Sequence, residues 1–303
     1  MAEIAVNLAG IKLKNPVLVA SGTFGSGSDY TDFVNLNDIG AIVTKSVTLK
    51  PREGNPPPRI CETPSGMLNT IGLENPGVEA FIKKDLKFLD DFNVPVIVNI
   101  AGESLEEYIE LAKIFDKEKR VNAIELNVSC PNVKKGCMAF GLDPLAITEL
   151  IRAVKKQTKK PVITKLTPNV TDIKLIAKAA EDAGSDAISA INTVLGMSID
   201  VQSRKPRLSM GFGGLSGPAI KPIAVRMVYE ISKAVKIPVI GIGGIMTAED
   251  ALEFIMAGAS AVQVGTGNFV NPRAAVEIAE GIAKYLKDNR IESLKDIQGK
   301  ITI

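Results

Sequence analysis

Cys130 lies in the run Asn127-Val128-Ser129-Cys130-Pro131-Asn132, flanked by Ser, Pro and Asn rather than by apolar residues. A free Cys among apolar neighbours is an inert small hydrophobe. A thiol in a polar loop competes with that reading as a proton-transfer group, because its ordinary pKa of about 8.5 is within reach of neutral pH. The chain has no His, so few other groups can take that task. The same absence excludes a Ser-His-Asp triad, a Cys-His pair and any His-ligated metal within these residues. Cys61, Cys130 and Cys137 form an odd set, irregularly spaced and without Cys-x-x-Cys. That argues against a disulfide framework and for a reducing compartment. It also argues against a four-thiolate zinc or iron–sulfur site, and no metal is expected on this chain.

The other candidates stand at the ends of short apolar runs. In chain order they are Ser21-Gly22-Thr23, Lys45-Ser46, Asn99, Asn127, Lys165, Ile191-Asn192-Thr193, Gly243-Gly244 and Gly265-Thr266. A single Asn at such a place is an ordinary turn former. Several converging on one mouth would offer donors and acceptors together, which suits an uncharged heterocycle with amide edges. Lys45 and Lys165 each lie inside an apolar run, where an unpaired ammonium is costly. A structural ion pair is one reading, but the run ends supply no acid, so an anionic ligand is the better inference. The two Gly-bearing ends would let backbone N–H groups approach phosphate oxygens closely.

These residues share a mouth only if the runs are strands of one barrel. Eight runs, 16–20, 41–46, 95–100, 122–128, 161–166, 186–191, 238–242 and 261–265, are apolar at consecutive positions, as in parallel strands buried on both faces. Helix signals lie between them. Asp143-Pro144 places a cap before a Pro at the first helical position, and Thr247 with Asp250 resembles a capping box. Ala183-Gly184 and Ala257-Gly258 read as helix stops. Pro-Val-Ile recurs at Pro95, Pro161 and Pro238, a spacing that fits two βα units each. The fold class is therefore α/β, a (β/α)8 TIM barrel; the open doubly wound alternative lacks a clean Gly-x-Gly-x-x-Gly turn. Residues 4–13 read as an N-terminal hairpin plugging the barrel bottom. The stretches 49–77 and 195–216 read as long inserts at the C-terminal mouth. No linker separates two cores, so residues 1–303 are expected to form a single domain.

Bulk composition narrows the partners. Of 303 residues, 36 are Lys or Arg and 34 are Asp or Glu, a net charge of +2 that predicts no attraction to nucleic acid or membrane. No apolar stretch reaches the roughly 18 residues of a spanning helix, and no basic region followed by an apolar run marks a signal peptide. A cytoplasmic, soluble protein is expected.

Taken as an ordered set, several motifs resemble dihydroorotate dehydrogenases. They are the Asn127–Asn132 run, Thr44-Lys45-Ser46-Val47-Thr48, Asn69-x-x-Gly72-Leu73, Lys165-Leu166-x-Pro168-Asn169, Ile191-Asn192-Thr193 and Gly213-Gly214-Leu215-Ser216-Gly217. The resemblance covers about residues 4 to 295. It implies a barrel with one FMN at its mouth, oxidising dihydroorotate to orotate in pyrimidine biosynthesis. Cys130 in the base position, without an N-terminal helical extension, is similar to the soluble class. Asn132-Val133-Lys134-Lys135-Gly136 followed by Ala139-Phe140-Gly141 and Asp143-Pro144 is similar to its B type. That type implies a partner subunit carrying FAD and a 2Fe-2S cluster, electrons passed to NAD⁺, and a homodimer core within a heterotetramer. Cys137 departs from the Gly expected in this loop.

The resemblance also implies roles. Cys130 would take a proton from C5 of dihydroorotate while C6 delivers hydride to flavin N5, with Lys45 and Lys165 as the other catalytic residues. Ser21, Lys45, Ser46, Asn99, Asn127, Lys165, Ile191, Gly217, Gly243, Gly244, Gly265 and Thr266 would hold FMN, the last four its phosphate. Lys45, Asn69, Thr70, Ile71, Gly72, Leu73, Asn127, Asn132, Asn192 and Thr193 would hold the substrate. Three other readings stay open: an A-type, fumarate-reducing homodimer, a Schiff-base lyase using Lys165, and a non-catalytic barrel.

Overall fold

The computed structural model describes residues 4–129 and 140–302. Its strands are β1 (Val6–Leu8), β2 (Ile11–Leu13), β3 (Val17–Val19), β4 (Ala41–Val43), β5 (Ile60–Thr63), β6 (Gly66–Asn69), β7 (Val96–Ile100), β8 (Ala123–Asn127), β9 (Val162–Leu166), β10 (Ala187–Ala190), β11 (Val194–Met197), β12 (Ile199–Asp200), β13 (Lys205–Pro206), β14 (Phe212–Ser216), β15 (Val239–Ile242) and β16 (Ala261–Val264). Eight of them close into a barrel in the order β3-β4-β7-β8-β9-β10-β15-β16. Every pairing around it is parallel. These are the eight runs expected from sequence, trimmed at their ends, and the (β/α)8 expectation holds.

Side chains along each barrel strand alternate between two cores, as a period of two requires. Val17, Val19, Val96, Val98, Ile124 and Leu126 face the helix layer. Leu18, Ile97, Ala123, Ile163, Ala187, Ile240 and Ala261 face inward, where Leu8, Ile11 and Leu13 of the β1–β2 hairpin join them. The hairpin is the plug expected from its alternating residues. Burying each of those three side chains contributes about 1.5–3 kcal/mol.

The helices end where their caps dictate. Asp143 accepts from the Leu145 and Ala146 N–H groups ahead of the helix Pro144–Lys155, with Pro in its first turn. Thr247 and Asp250 form the reciprocal capping box of the helix Ala248–Met256. Gly184 (φ 100°) and Gly258 (φ 115°) follow helix ends in the left-handed region, which Gly adopts at little cost.

The two long inserts come together as one element. They supply β5, β6, β11 and β14, which pair as one antiparallel sheet in the order β11-β14-β6-β5. Leu68 and Leu215 are register partners, as are Val194 and Leu215. Residues far apart in sequence therefore build a single roof beside the mouth. Among the described residues, no helix is long and apolar enough to cross a membrane.

Candidate active site

The inward positions change character along the barrel axis. One step up from the apolar layer, Ile97 gives way to Asn99, Ala123 to Glu125, Ile163 to Lys165, Ala187 to Ser189 and Ala261 to Gln263. All five polar side chains are buried. Glu125 accepts from Asn99 Nδ2 at 2.7 Å, Ser189 Oγ at 2.8 Å and Gln263 Nε2 at 2.9 Å, so one carboxylate ties four strands together. Sequence reasoning missed Glu125, Ser189 and Gln263. The available signal was a polar residue at an inward position of an apolar run, two residues before Asn127 in the case of Glu125.

Lys165 lies 6% exposed, and its ammonium finds only Ser21 Oγ at 3.4 Å among the described residues. It has no ion pair there, so the structural ion-pair reading fails within those residues. An ammonium with free donors in a buried mouth fits an anionic or electron-rich group. Lys45 is half-buried at the end of β4, its backbone N–H bonded to the Gly25 carbonyl at 3.2 Å.

Ser46 Oγ donates to Asn99 Oδ1 at 2.5 Å and accepts from Asn127 Nδ2 at 3.2 Å. Asn127 Oδ1 accepts from Asn192 Nδ2 at 3.4 Å and from the Ser129 N–H at 3.3 Å. The Asn127 carbonyl also takes the Tyr108 hydroxyl at 2.6 Å, which pins the end of β8. Ile191 follows a cis peptide bond, and its N–H bonds to the Ile242 carbonyl at 3.0 Å. The structure thus brings Ser46, Asn99, Asn127 and Asn192 into one continuous set, as the strand ends predicted. Cys130 and Asn132 lie outside the described residues. Their neighbour Ser129 places its hydroxyl 3.4 Å from the Lys165 carbonyl.

β15 and β16 are adjacent, which brings Gly243-Gly244 and Gly265-Thr266 to one corner. The backbone N–H groups of those four residues donate to no other described residue. A Cβ on Gly265 would meet only the Ala20 Cβ at 3.7 Å, so the space beside it is open. A Cβ on Gly244 would come within 2.8 Å of the Gly217 carbonyl, so Gly217 closes the same corner. N–H groups unpaired among the described residues, three of the four on glycines, fit a phosphate, and the buried Lys165 fits the electron-rich edge of a flavin ring. The residues present therefore fit FMN.

The roof connects to both parts. Thr266 Oγ1 donates to Ser216 Oγ at 2.8 Å, joining the glycine corner to β14. Asn69 Nδ2 donates to the Gly214 carbonyl at 3.3 Å, and a Cβ on Gly214 would lie 2.0 Å from Thr193 Oγ1. Asn69 and Thr193 thus meet at Gly214. Asn169 holds the start of β11 by donating to the Thr193 carbonyl at 3.1 Å and accepting from the Leu195 N–H at 2.9 Å. Thr70, Ile71, Gly72 and Leu73 are tied within their own insert instead. Asn55 bonds the Thr70 and Ile71 carbonyls, and Asn75 bonds the Leu73 carbonyl.

The class that fold and site define is a (β/α)8 barrel with a ligand-binding mouth at its C-terminal face. The family model described as dihydroorotate dehydrogenase matches residues 3–286, and the chain belongs to that family. The resemblance read from the motifs is borne out. A relative from Thermoanaerobacter sp. (strain X514), the catalytic subunit of dihydroorotate dehydrogenase B (NAD(+)), is 58% identical over 301 residues, 99% of each chain. The protein of the same description from Alkaliphilus metalliredigens (strain QYMF) is 57% identical over 299 residues, again 99% of each. In fold, the chain is similar to the crystal structure of DHODH from Eimeria tenella in complex with ferulenol. There the TM-score is 0.82 at 23% identity, covering 98% of this chain and 88% of that one.

Proposed function

We propose that this chain is the catalytic subunit of an NAD⁺-linked dihydroorotate dehydrogenase, one FMN-binding barrel domain oxidising dihydroorotate to orotate in cytoplasmic pyrimidine biosynthesis. The observation that carries the reading is the convergence on one mouth of a buried Lys165, a string of Asn side chains and a corner of backbone N–H groups, the ammonium without an ion pair and the N–H groups without acceptors among the described residues.

Bound FMN supplies the acceptor for the hydride that leaves C6 of dihydroorotate. The chain's own residues do the rest. Backbone N–H groups of Gly243, Gly244, Gly265 and Thr266 hold the phosphate, with Gly217 closing the corner. Ser21, Lys45, Ser46, Asn99, Asn127, Ile191 and Lys165 hold the ring. Lys165 places a fixed cation where negative charge develops, which lowers the barrier without reorganisation. Lys45 offsets the substrate carboxylate. Asn69, Thr70, Ile71, Gly72, Leu73, Asn127, Asn132, Asn192 and Thr193 hold the pyrimidine. Cys130 Sγ takes the proton from C5, and the bound geometry supplies proximity between base and substrate.

The names of the relatives, which call them catalytic subunits of an NAD(+) enzyme, support a separate electron-transfer partner. In this reading that partner carries FAD and a 2Fe-2S cluster, and the assembly is a heterotetramer around a homodimer of this chain. The test is an absorption spectrum of the purified chain before and after anaerobic dihydroorotate. A yellow protein that bleaches is expected, reoxidised by NAD⁺ rather than fumarate once the companion flavoprotein is present. A colourless preparation that takes up no FMN overturns the proposal.

A further inference from the structure

The proposed chemistry leaves one buried carboxylate unused. Glu125 is fully buried, and three side chains from three other strands donate to it. Among the described residues no cation pairs with it. In all three of these bonds Glu125 is the acceptor. Asn99 must therefore turn its NH2 group toward Glu125 and its Oδ1 toward Ser46. The Ser46 proton is committed to that Oδ1, so Ser46 Oγ is left to accept from Asn127 Nδ2. Asn127 Oδ1 then faces Asn192 Nδ2, and Asn192 Oδ1 takes the Thr193 N–H at 2.8 Å. One donor-to-acceptor direction runs unbroken from the mouth down to Glu125.

We infer that Glu125 is a positioning residue: as the acceptor at one end of the string it orients Asn99 and Ser46, and together with the Ser129 and Thr193 N–H groups at the other end it holds the amides of Asn127 and Asn192 in one direction. An Asn amide is nearly symmetric in shape, so packing alone does not decide its orientation; hydrogen-bond partners do. In the fixed register, Asn127 Nδ2 and Asn192 Nδ2 each keep one N–H after the bonds named above. The Asn127 Oδ1 lone pairs are both engaged. The mouth therefore offers N–H donors, which match a ring edge of carbonyl and carboxylate oxygens. Reversing the string would present lone pairs to those oxygens and repel them. This inference rests on the function proposed above, because dihydroorotate and orotate carry such an edge.

The test uses the full chain loaded with FMN and reads orotate affinity from the change in flavin absorbance. FMN content and melting temperature, which a packing defect would move, are recorded alongside. Glu125→Leu removes the acceptor and is expected to weaken orotate binding roughly tenfold while FMN stays bound, the scale of one or two misdirected hydrogen bonds. Glu125→Gln keeps a carbonyl for Asn99. Its NH2 can face Ser189 and Gln263, whose Oε1 has no partner among the described residues, so affinity within about threefold of wild type is expected. Ser46→Ala cuts the string midway and is also expected to cost roughly tenfold. The double variant Glu125→Leu/Ser46→Ala is expected to be no weaker than the weaker single, because both cuts release the same amides.

Wild-type affinity in Glu125→Leu or Ser46→Ala overturns the inference, as do additive losses in the double variant. Equal losses in both Glu125 variants would make the charge the cause, and that also overturns it. If Glu125→Leu takes up no FMN, Ser46→Ala alone decides. A wild-type chain whose flavin ignores orotate defeats the functional proposal instead, and the two failures are thereby distinct.

Discussion

Among single residues, Lys165 and Cys130 divide the proposed work between charge and proton. Lys165 lies in the polar layer of the barrel, and among the described residues its ammonium is held only by a long bond to Ser21. Lys165→Ala is expected to slow flavin reduction by about 10²-fold, the scale of one preorganised electrostatic contact. Orotate affinity should change far less. An unchanged single-turnover rate in stopped flow would count against this. Cys130→Ala is expected to keep its FMN absorbance and lose about 10²–10⁴-fold in turnover at neutral pH, as loss of a general base does. Full activity in that variant would remove Cys130 from the mechanism. Lys165 and the three Asn were legible in sequence because each polar residue interrupts or ends an apolar run. Glu125 was not read as part of the site. Its partners come from β7, β10 and β16, and no local pattern announces them.

Among the elements, the roof sheet shows what local pattern reading cannot supply. Gly and Pro in 49–77 and 195–216 mark irregular chain, yet the two stretches pair strand to strand across about 150 residues, as in the Asn69–Gly214 bond with its separation of 145. Close packing at Gly214 holds that junction, since Thr193 Oγ1 occupies the position a Cβ would take. Gly214→Ala must displace the Thr193 side chain. The expected result is weaker orotate binding, by roughly tenfold, with FMN still bound at the separate glycine corner. Equal loss of both ligands in a titration would show that roof and corner are one unit. The helix caps were legible in advance, because a cap is satisfied by residues within three positions of itself.

At the scale of the whole molecule, net charge is small and individual carboxylates set the response to acid. Burial pushes the Asp250 carboxyl up, but the hydrogen bond from Lys221 and the N–H groups of Met246 and Thr247 outweigh it. The group therefore titrates below the ordinary carboxylate range. Asp116 is lowered by the Lys159 N–H and the Thr158 hydroxyl, against a smaller effect of burial. A depressed carboxyl adds stability above its unfolded pKa of about 3.9, and that stability is lost as pH falls through the folded value. The urea midpoint is expected to drop below about pH 4. Asp250→Asn should flatten that drop and start from a lower midpoint at neutral pH. Identical midpoints for wild type at pH 6 and pH 3 would contradict this. Asp250 caps the helix that follows Gly244, so FMN release on acidification should accompany the loss.

The sequence by itself determined the barrel, because parallel strands buried on both faces leave an unbroken apolar run wherever they occur. It also determined which strand ends carry amides, lysines and glycines, since each is read within its own βα unit. The hairpin plug followed from simple alternation in 4–13. Only the tertiary structure decided that the two inserts are one sheet, and that Asn69, Gly214 and Thr193 meet. Only there does Glu125 become the acceptor at the base of a directed string of amides. Those contacts join residues many elements apart, and their energy comes from complementary shape and donor–acceptor direction across the closed barrel, which no local stretch of sequence encodes.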